Sequence, residues 1–286
     1  METATTLWLF VAAFGASALG GVLGMASGIF IVPILTLLFH MDIHAAIGAS
    51  LVSVIACSCG SAASFIKERL TNIRIAIILE TATTLGALTG VFLIGIIPTA
   101  CLYGLFAAVL AISAQQMLAR RREAVDANVP DARSWASVLR LHSSYPDHVS
   151  GRDVPYNVGR VPLGLSLMYG AGLISALLGI GSGVLKIPAM DSALRLPIKV
   201  SSATSNFMIG VTAAASAGAY FVRGDIEIGI AGPVALGSVA GARAGARLLL
   251  GLPADKLRVF LVVVLGLLAI QMLMSAFGAH IQGGPA

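Results

Sequence analysis

The chain has 286 residues, of which 57% are hydrophobic and only 11% are charged, and its mean hydropathy is +0.93. In soluble domains about a quarter of all residues are charged, so this composition excludes an ordinary water-soluble domain and predicts a protein solvated by lipid. The formal net charge of +5 is typical of cationic cytoplasmic loops in membrane proteins, and we do not interpret it as nucleic-acid binding.

Eight apolar runs follow one another, and a helix needs about 20 residues to cross the hydrocarbon layer. The runs cover residues 7–39, 44–66, 73–96, 99–118, 161–190, 199–222, 226–250 and 257–279. Six fit one crossing each, whereas 7–39 and 161–190 are too long and contain a glycine-rich segment near their middle. The sequence therefore predicts an all-α polytopic membrane protein of about 8–10 membrane helices, with a broken or re-entrant helix pair in each half.

An extended polar stretch separates the fourth run from the fifth. It is rich in arginine and is interrupted by Pro130, Pro146 and Pro155. We therefore expect a first membrane repeat at 1–118, a polar cytoplasmic linker at 119–160 and a second membrane repeat at 161–286. A regulatory or partner-binding role for the linker stays open.

The two membrane segments carry the same motif. Gly24-Met-Ala-Ser27-Gly28 is followed by Pro33, and Gly179-Ile-Gly181-Ser182-Gly183 is followed by Pro188. Gly183 stands 155 positions after Gly28, and at this spacing other small or polar residues also correspond: Ser50 with Ser205, Gly86 with Gly241, and Gly90 with Gly245. Such a frame of glycine, serine and proline rarely recurs by chance, so it predicts a duplication.

The positions of the cationic residues favour inverted repeats. If each long run returns to its starting side, the linker shares one face with Lys67, Arg74 and Lys199, and only Arg223 falls opposite. The positive-inside rule makes the shared face cytoplasmic. If the long runs cross only once, the repeats are parallel and the cationic residues are divided between the two faces.

The duplicated glycine motifs are the strongest candidates for a binding site. Glycine lets a ligand or a second backbone approach, and Pro33 and Pro188 discourage a continuous helix. Paired broken helices are typical of transporter substrate sites, and their free N–H groups suit an anion. The alternative is tight helix packing, because Gly20, Gly24 and Gly28 form a stripe of small residues.

A hydroxyl-rich segment follows each motif. Ser201-Ser-Ala-Thr204-Ser205-Asn206 opens the sixth run, and Ser50 stands at the matching place in the first half. Hydroxyl and amide groups bind an oxyanion without a fixed charge that would trap it. They equally cap helices or form hydrogen bonds across helices, so both interpretations stay open.

Among the charged residues inside apolar runs, Lys186, Glu80 and Arg243 are the three candidates for function, because charge is costly there. Lys186 either attracts an anion or extends to the membrane interface. Glu80 either carries a coupled proton or pairs with an arginine. Arg243 is the third, and it faces a pathway or lies at the periphery.

Two further patterns are expected to serve packing alone. Gly237, Gly241 and Gly245 recur every four residues and suit close helix contact. Cys57 and Cys59 lie two positions apart and so occupy different helix faces. The sequence contains no nucleophile triad, phosphate loop, dinucleotide fingerprint or metal motif. We therefore predict no catalytic residue, no metal and no cofactor.

The two motifs, together with Ala203-Thr204-Ser205-Asn206-Phe207-Met208, resemble the sulfite exporter TauE/SafE family, also called the 4-toluene sulfonate uptake permease family. The resemblance covers nearly the whole chain except the linker. It implies a permease in the plasma (inner) membrane of a prokaryote that moves sulfite, sulfonates or related organic acids, driven by a proton or ion gradient. The first motif departs from the family pattern at Met25 and Ala26, which implies that the second half dominates binding.

We therefore expect alternating access of a small anion past a site near the bilayer centre. The expected substrate-binding residues are Gly24, Ser27, Gly28, Ser50, Gly179, Gly181, Ser182, Gly183, Lys186, Thr204, Ser205 and Asn206. A passive anion channel, an intramembrane enzyme and a non-transporting scaffold or assembly factor are the alternatives. The expected partners are the anion, the lipid bilayer and an ion gradient, with a homodimer as a further option.

Overall fold

A computed structural model of the protein describes residues 3–23, 27–94, 96–118, 135–147, 152–181, 183–248 and 254–282. Within these ranges the chain forms eleven α-helices, one π-helical turn and one two-stranded sheet. The fold is that of an all-α polytopic membrane protein, as the composition predicts. Large apolar side chains stay on the outer surface, among them Phe92 at 80% exposure and Val222 at 86%, which suits contact with lipid rather than water.

Helices fall in two sets of five. The first set is α1 (Thr3–Leu23), α2 (Gly28–Leu37), α3 (Ile43–Lys67), α4 (Ile73–Leu93) and α5 (Thr99–Leu118). The second set is α7 (Val161–Leu178), α8 (Gly183–Ala189), α9 (Ile198–Val222), α10 (Ile228–Leu248) and α11 (Ala254–Gln282). A π-helical turn, Met190–Leu194, follows α8. Between the sets lie the single-turn helix α6 (Trp135–Val138) and the strands β1 (Ser143–Asp147) and β2 (Arg152–Tyr156).

The two sets repeat each other in their boundaries. Helix α9 begins and ends 155 positions after α3, α10 does the same relative to α4, and α11 begins 155 positions after α5. Each long apolar run is divided at its glycine motif, into α1 and α2 in the first half and into α7 and α8 in the second. Pro33 lies inside α2 and Pro188 inside α8, so each division lies at the glycine motif, ahead of the proline.

Three helices in the described ranges are long and apolar enough to cross a membrane by length and composition: α3, α4 and α7. Shorter apolar stretches occur in other helices, for example Thr99–Gln115 in α5 and Val262–Phe277 in α11.

The polar side chains of α9 cluster on its buried surface, where Ser201, Thr204 and Thr212 have no exposed area.

Helices α3 and α9 pack against each other in opposite directions. Gly48, near the start of α3, lies so close to the backbone that follows α9 that a Cβ atom would stand 2.5 Å from the carbonyl oxygen of Asp225. Farther along α3, the hydroxyl of Ser58 donates to the carbonyl oxygen of Asn206, near the start of α9, over 2.6 Å. The start of one helix therefore meets the end of the other, and the pair is antiparallel.

Glycines bring the surrounding helices into contact, as expected for Gly237 and Gly241. A Cβ atom at Gly241 in α10 would stand 2.2 Å from the carbonyl oxygen of Phe14 in α1, and one at Gly237 would stand 2.4 Å from that of Phe10. Helices α4 and α7 make the corresponding contact through Gly86. The surroundings of Gly245 lie outside what the structure describes, so the packing role of this third glycine stays a prediction.

The linker is folded where the structure describes it. Strands β1 and β2 form an antiparallel hairpin in which Ser143 lies opposite Tyr156. Tyr145 and Tyr156 are buried in an apolar cluster with Ile75 and Leu79 of α4. The hairpin is thus docked on the membrane helices, which its polar composition did not predict.

Candidate functional site

The two helix divisions meet each other inside the protein. A Cβ atom at Gly28 would stand 2.5 Å from the carbonyl oxygen of Gly179 and 3.0 Å from the Cα atom of Ile180. The hydroxyl of Ser50 in α3 donates to that same carbonyl oxygen of Gly179 over 2.8 Å. We call this contact of Gly28, Ser50 and Gly179 the break junction. It brings together three residues that the sequence assigned to one site.

Positive φ angles explain why glycine occupies the second motif. Gly179 has φ +66° and Gly181 has φ +72°, a left-handed conformation that side chains with a Cβ atom rarely adopt. Gly179 ends α7 as its C-cap, and its N–H donates to the carbonyl oxygen of Ser175 over 2.8 Å. The motif therefore ends one helix and turns the chain into the next.

A chain of hydroxyls extends from the first motif. Ser27 hydrogen-bonds to Ser53 of α3 over 2.8 Å, and Ser53 hydrogen-bonds to Ser238 of α10 over 2.5 Å. Ser238 donates to the carbonyl oxygen of Val234, so Ser53 donates to Ser238 and Ser27 to Ser53. All three hydroxyls are fully buried. Ser53 and Ser238 were not among the predicted site residues.

The hydroxyl-rich segment of α9 is buried, and its members have different surroundings. Thr204 accepts a hydrogen bond from the backbone N–H of Asn72 over 3.1 Å. The Asn206 amide donates to the carbonyl oxygen of Ser202 one turn earlier in α9. The hydroxyl of Ser205 is buried without a hydrogen-bond partner in the structure. A buried hydroxyl without a partner suits a site that accepts a polar ligand or water.

Lys186 and Glu80 form a buried ion pair between the halves. The Nζ atom of Lys186 lies 3.2 Å from Oε2 of Glu80. It also donates to Oγ1 of Thr212 over 2.6 Å, and the Thr212 hydroxyl donates to Oε1 of Glu80 over 2.5 Å. Lys186 has no exposed surface, so it does not extend to the interface, and the partner of Glu80 is a lysine rather than an arginine.

The remaining predicted residues do not join these clusters in the described structure. Gly183 is buried at the start of α8, and Arg243 is exposed near the end of α10. Gly24 and Ser182 lie outside the described residues. Among the residues that are described, no three histidine, cysteine, aspartate or glutamate side chains come together as a metal site.

Sequence reasoning missed two residues that connect the clusters. Thr212 bridges Lys186 and Glu80, and no sequence motif singled it out. Asn72 caps α4 through its side chain, which accepts from the N–H of Ile75. Its amide also donates to the hydroxyl of Tyr156 over 2.7 Å. Burial raises the pKa of Tyr156, so the phenol stays protonated and available for hydrogen bonding.

The fold has a buried polar centre between two sets of membrane helices. This arrangement identifies a polytopic membrane protein of the class to which transporters belong. The chain belongs to the sulfite exporter TauE/SafE family, whose model matches residues 9–272. It is similar to two proteins of Bacillus subtilis (strain 168), each called a probable membrane transporter protein. YdhB is 27% identical over 230 residues, which cover 79% of this chain and 83% of YdhB. YunE is 24% identical over 222 residues, which cover 74% of this chain and 77% of YunE. No solved structure matches significantly.

Proposed function

We propose that the protein is a secondary transporter for a small anion in the plasma membrane of a prokaryote. The substrate class is sulfite, a sulfonate or a related sulfur-containing organic acid, and the mechanism is alternating access. The observation that carries the proposal is the break junction, where Gly28 of one half meets Gly179 of the other within the apolar helices. Irregular backbone at that depth is tolerated only where it is buried in protein or lines a water-filled cavity.

Inverted repeats are part of this proposal. The antiparallel packing of α3 and α9 supports it, because these two helices correspond at a spacing of 155 residues. If corresponding helices run in opposite directions through one bilayer, the repeats are related by an axis in the membrane plane. The cationic residues on a single face support the same arrangement.

The contacts at the junction suit a gate. In this structure Ser27, Ser50 and Thr204 have no exposed surface, so the site is closed. One hydrogen bond, from Ser50 to Gly179, crosses the junction between α3 and the end of α7. A single hydrogen bond contributes about 0.5–1.5 kcal/mol, so this bond by itself adds little resistance to opening at the junction. Other polar contacts also join the two halves, among them the ion pair of Lys186 and Glu80.

The chemistry of the buried groups suits a small oxyanion. The hydroxyls of Ser27, Ser50 and Ser205 and the amide of Asn206 are neutral donors, and Lys186 carries a positive charge that Glu80 offsets in this structure. Neutral donors give a bound anion hydrogen bonds without holding it as strongly as a cluster of cations would. This balance lets a transporter release its substrate.

A non-transporting scaffold is the second candidate, and the tight junction favours it. A Cβ atom at Gly179 would stand 2.8 Å from a side-chain carbon of Ile47 and 3.0 Å from its carbonyl oxygen. Both motifs therefore also satisfy a purely structural role in helix packing. Flux measurements separate the two candidates.

The test is uptake of labelled anions into proteoliposomes that contain the purified protein. The panel comprises sulfite, methanesulfonate, sulfate and acetate, each with and without a pH gradient. We expect gradient-driven uptake of sulfite or methanesulfonate and reduced uptake by Asn206→Ala, which keeps a good helix former in α9. Ser113→Ala is the control, because that buried hydroxyl donates only to Val109 of its own helix. Absence of flux for every anion supports the scaffold, and flux that ignores the pH gradient supports a passive channel.

A further inference from the structure

The ion pair of Lys186 and Glu80 differs from the rest of the polar interior because it is charged. The repeat contains no second pair of this kind at the corresponding positions. The positions 155 residues away are Ile31 for Lys186 and Ala235 for Glu80. Glu80 belongs to α4 of the first half, and Lys186 belongs to α8, directly after the second glycine motif. The pair therefore joins the two halves that must separate during alternating access.

The Glu80 carboxylate is held by three donors. Lys186 donates to Oε2, and the hydroxyls of Thr212 and Thr84 donate to Oε1, the latter over 3.3 Å. Removing one partner of a buried pair leaves an uncompensated charge and costs about 3–5 kcal/mol. Glu80 can leave Lys186 only if another anion replaces it and if the carboxylate becomes neutral or reaches water.

The Thr212 hydroxyl is placed to accommodate such an exchange. It has one proton and two acceptors within reach, Oε1 of Glu80 and the carbonyl oxygen of Met208 one turn earlier in α9, at 3.1 Å. When Glu80 withdraws, the proton of Thr212 has the Met208 carbonyl as its alternative acceptor. The hydroxyl then still accepts from Lys186 and stays satisfied in both arrangements.

Other titratable groups on the elements packed against the pair are directed elsewhere or lie at the helix ends. They are Arg74 on α4, Tyr169 on α7, Asp191 in the π-helical turn, and Lys199 and Tyr220 on α9. Tyr169 donates to Thr89, and Tyr220 donates to the carbonyl oxygen of Ala176. Lys199 is exposed and Asp191 is half-buried. Glu80 is thus the carboxylate that the structure sets against Lys186.

We propose that the transported anion takes the place of the Glu80 carboxylate on Lys186, and that the displaced Glu80 carries one proton across with each anion. The inference rests on the proposed function and names its coupling groups. The proton comes from water on the side where the anion enters and forms the carboxylic acid O–H of Glu80. On the other side the anion leaves, Glu80 loses that proton to water, and the ion pair forms again. Glu80 is the more accessible partner, with 11% of its side chain exposed against 0% for Lys186.

The experiment measures labelled anion uptake and internal pH together in proteoliposomes, using sulfite and methanesulfonate as probes. With the outside more acidic by one pH unit, one-for-one coupling at zero membrane potential predicts about tenfold accumulation. Glu80→Gln keeps an amide in hydrogen-bonding reach of Thr212 and Lys186 but carries no proton. We expect Glu80→Gln to exchange labelled for unlabelled anion across the membrane, to lose the accumulation, and to move one proton fewer per anion than the wild type.

Lys186→Gln is tested in the Glu80→Gln background, so that no unpaired charge is left buried. We expect this double variant to fold, as judged by its elution from a sizing column, and to lose anion exchange at least tenfold. Thr83→Val is the matched control, because the buried Thr83 hydroxyl donates only to Leu79 of its own helix. Accumulation by Glu80→Gln equal to the wild type, or unimpaired exchange by the double variant, overturns the inference while leaving transport established. Absence of anion flux in the wild type instead contradicts the proposed function itself.

Discussion

Ser50 donates its hydroxyl proton to the carbonyl oxygen of Gly179 over 2.8 Å, although the two residues are 129 positions apart in the chain. The bond fastens the third helix of the first half to the glycine motif of the second half. Gly179 ends α7 with a positive φ angle. No further helical turn of α7 follows to donate to its carbonyl oxygen, so that oxygen needs a partner elsewhere. Ser50 supplies that partner.

Ser50→Ala is expected to lower the free energy of unfolding by about 1–2 kcal/mol, because the buried carbonyl oxygen of Gly179 loses a donor. Thermal unfolding of the purified protein in detergent measures the change. Ser113→Ala provides the comparison, since its hydroxyl bonds within α5 alone. Equal melting temperatures for the two variants would mean that the junction does not depend on this bond.

Gly28→Ala is expected to destabilise the protein by about 1–3 kcal/mol and to impair transport, because the added methyl group meets the backbone of Gly179 as well as the side chain of Ser50. The atoms in its way are the carbonyl oxygen of Gly179 at 2.5 Å and Oγ of Ser50 at 2.7 Å. Gly15→Ala is the control, with nothing within 4 Å of the new atom. Unfolding and uptake are measured on both, and a normal Gly28→Ala protein would contradict the close approach of the two motifs.

Gly241→Ala is expected to lower stability without a specific effect on anion affinity. Its new methyl group would stand 2.2 Å from the carbonyl oxygen of Phe14, at a contact between α1 and α10 that serves packing. Gly232→Ala in the same helix meets nothing within 4 Å. The concentration of anion that gives half-maximal uptake should stay the same in both variants, and a large shift for Gly241→Ala would place the glycine stripe in the pathway.

Tyr156→Phe is expected to loosen the hairpin of the linker locally. The variant removes the hydrogen bond with the amide of Asn72, at 2.7 Å, which contributes about 1 kcal/mol. Hydrogen exchange of the strand residues 143–147 and 152–156 in lipid nanodiscs should become faster. Tyr169→Phe removes an exposed hydroxyl bound to Thr89 and should leave that exchange unchanged. Unchanged exchange in Tyr156→Phe would show that the apolar cluster alone holds the hairpin.

Local sequence signals predicted the elements better than their contacts. Hydropathy and the spacing of 155 residues located the helices, and the glycine motifs located the two divisions at Leu23–Gly28 and Leu178–Gly183. Periodicity also predicted the packing role of Gly237 and Gly241. These features depend on residues that are close together in the chain, where propensity and pattern act directly.

Contacts between distant residues were beyond the same reasoning. Lys186 and Glu80 are 106 positions apart, and the sequence left two interpretations open for each residue. Only the fold decides that they pair with each other. The hairpin docked by Tyr145 and Tyr156 lies in the segment predicted as a polar linker, because the charge of that segment hid two aromatic residues that belong to the apolar cluster. Thr212 lay in a helix full of hydroxyls, and nothing local distinguished it from Ser216.

The proposed transport requires the closed break junction to open to water on one side of the membrane at a time. The direct measurement is labelling of Ser50→Cys, with Cys57, Cys59 and Cys101 replaced by alanine, by a membrane-impermeant thiol reagent applied to either side. We predict labelling from both sides that slows when methanesulfonate, which does not consume the reagent, is present. A protein that transports anions while this cysteine stays unreactive from both sides would contradict alternating opening of the break junction.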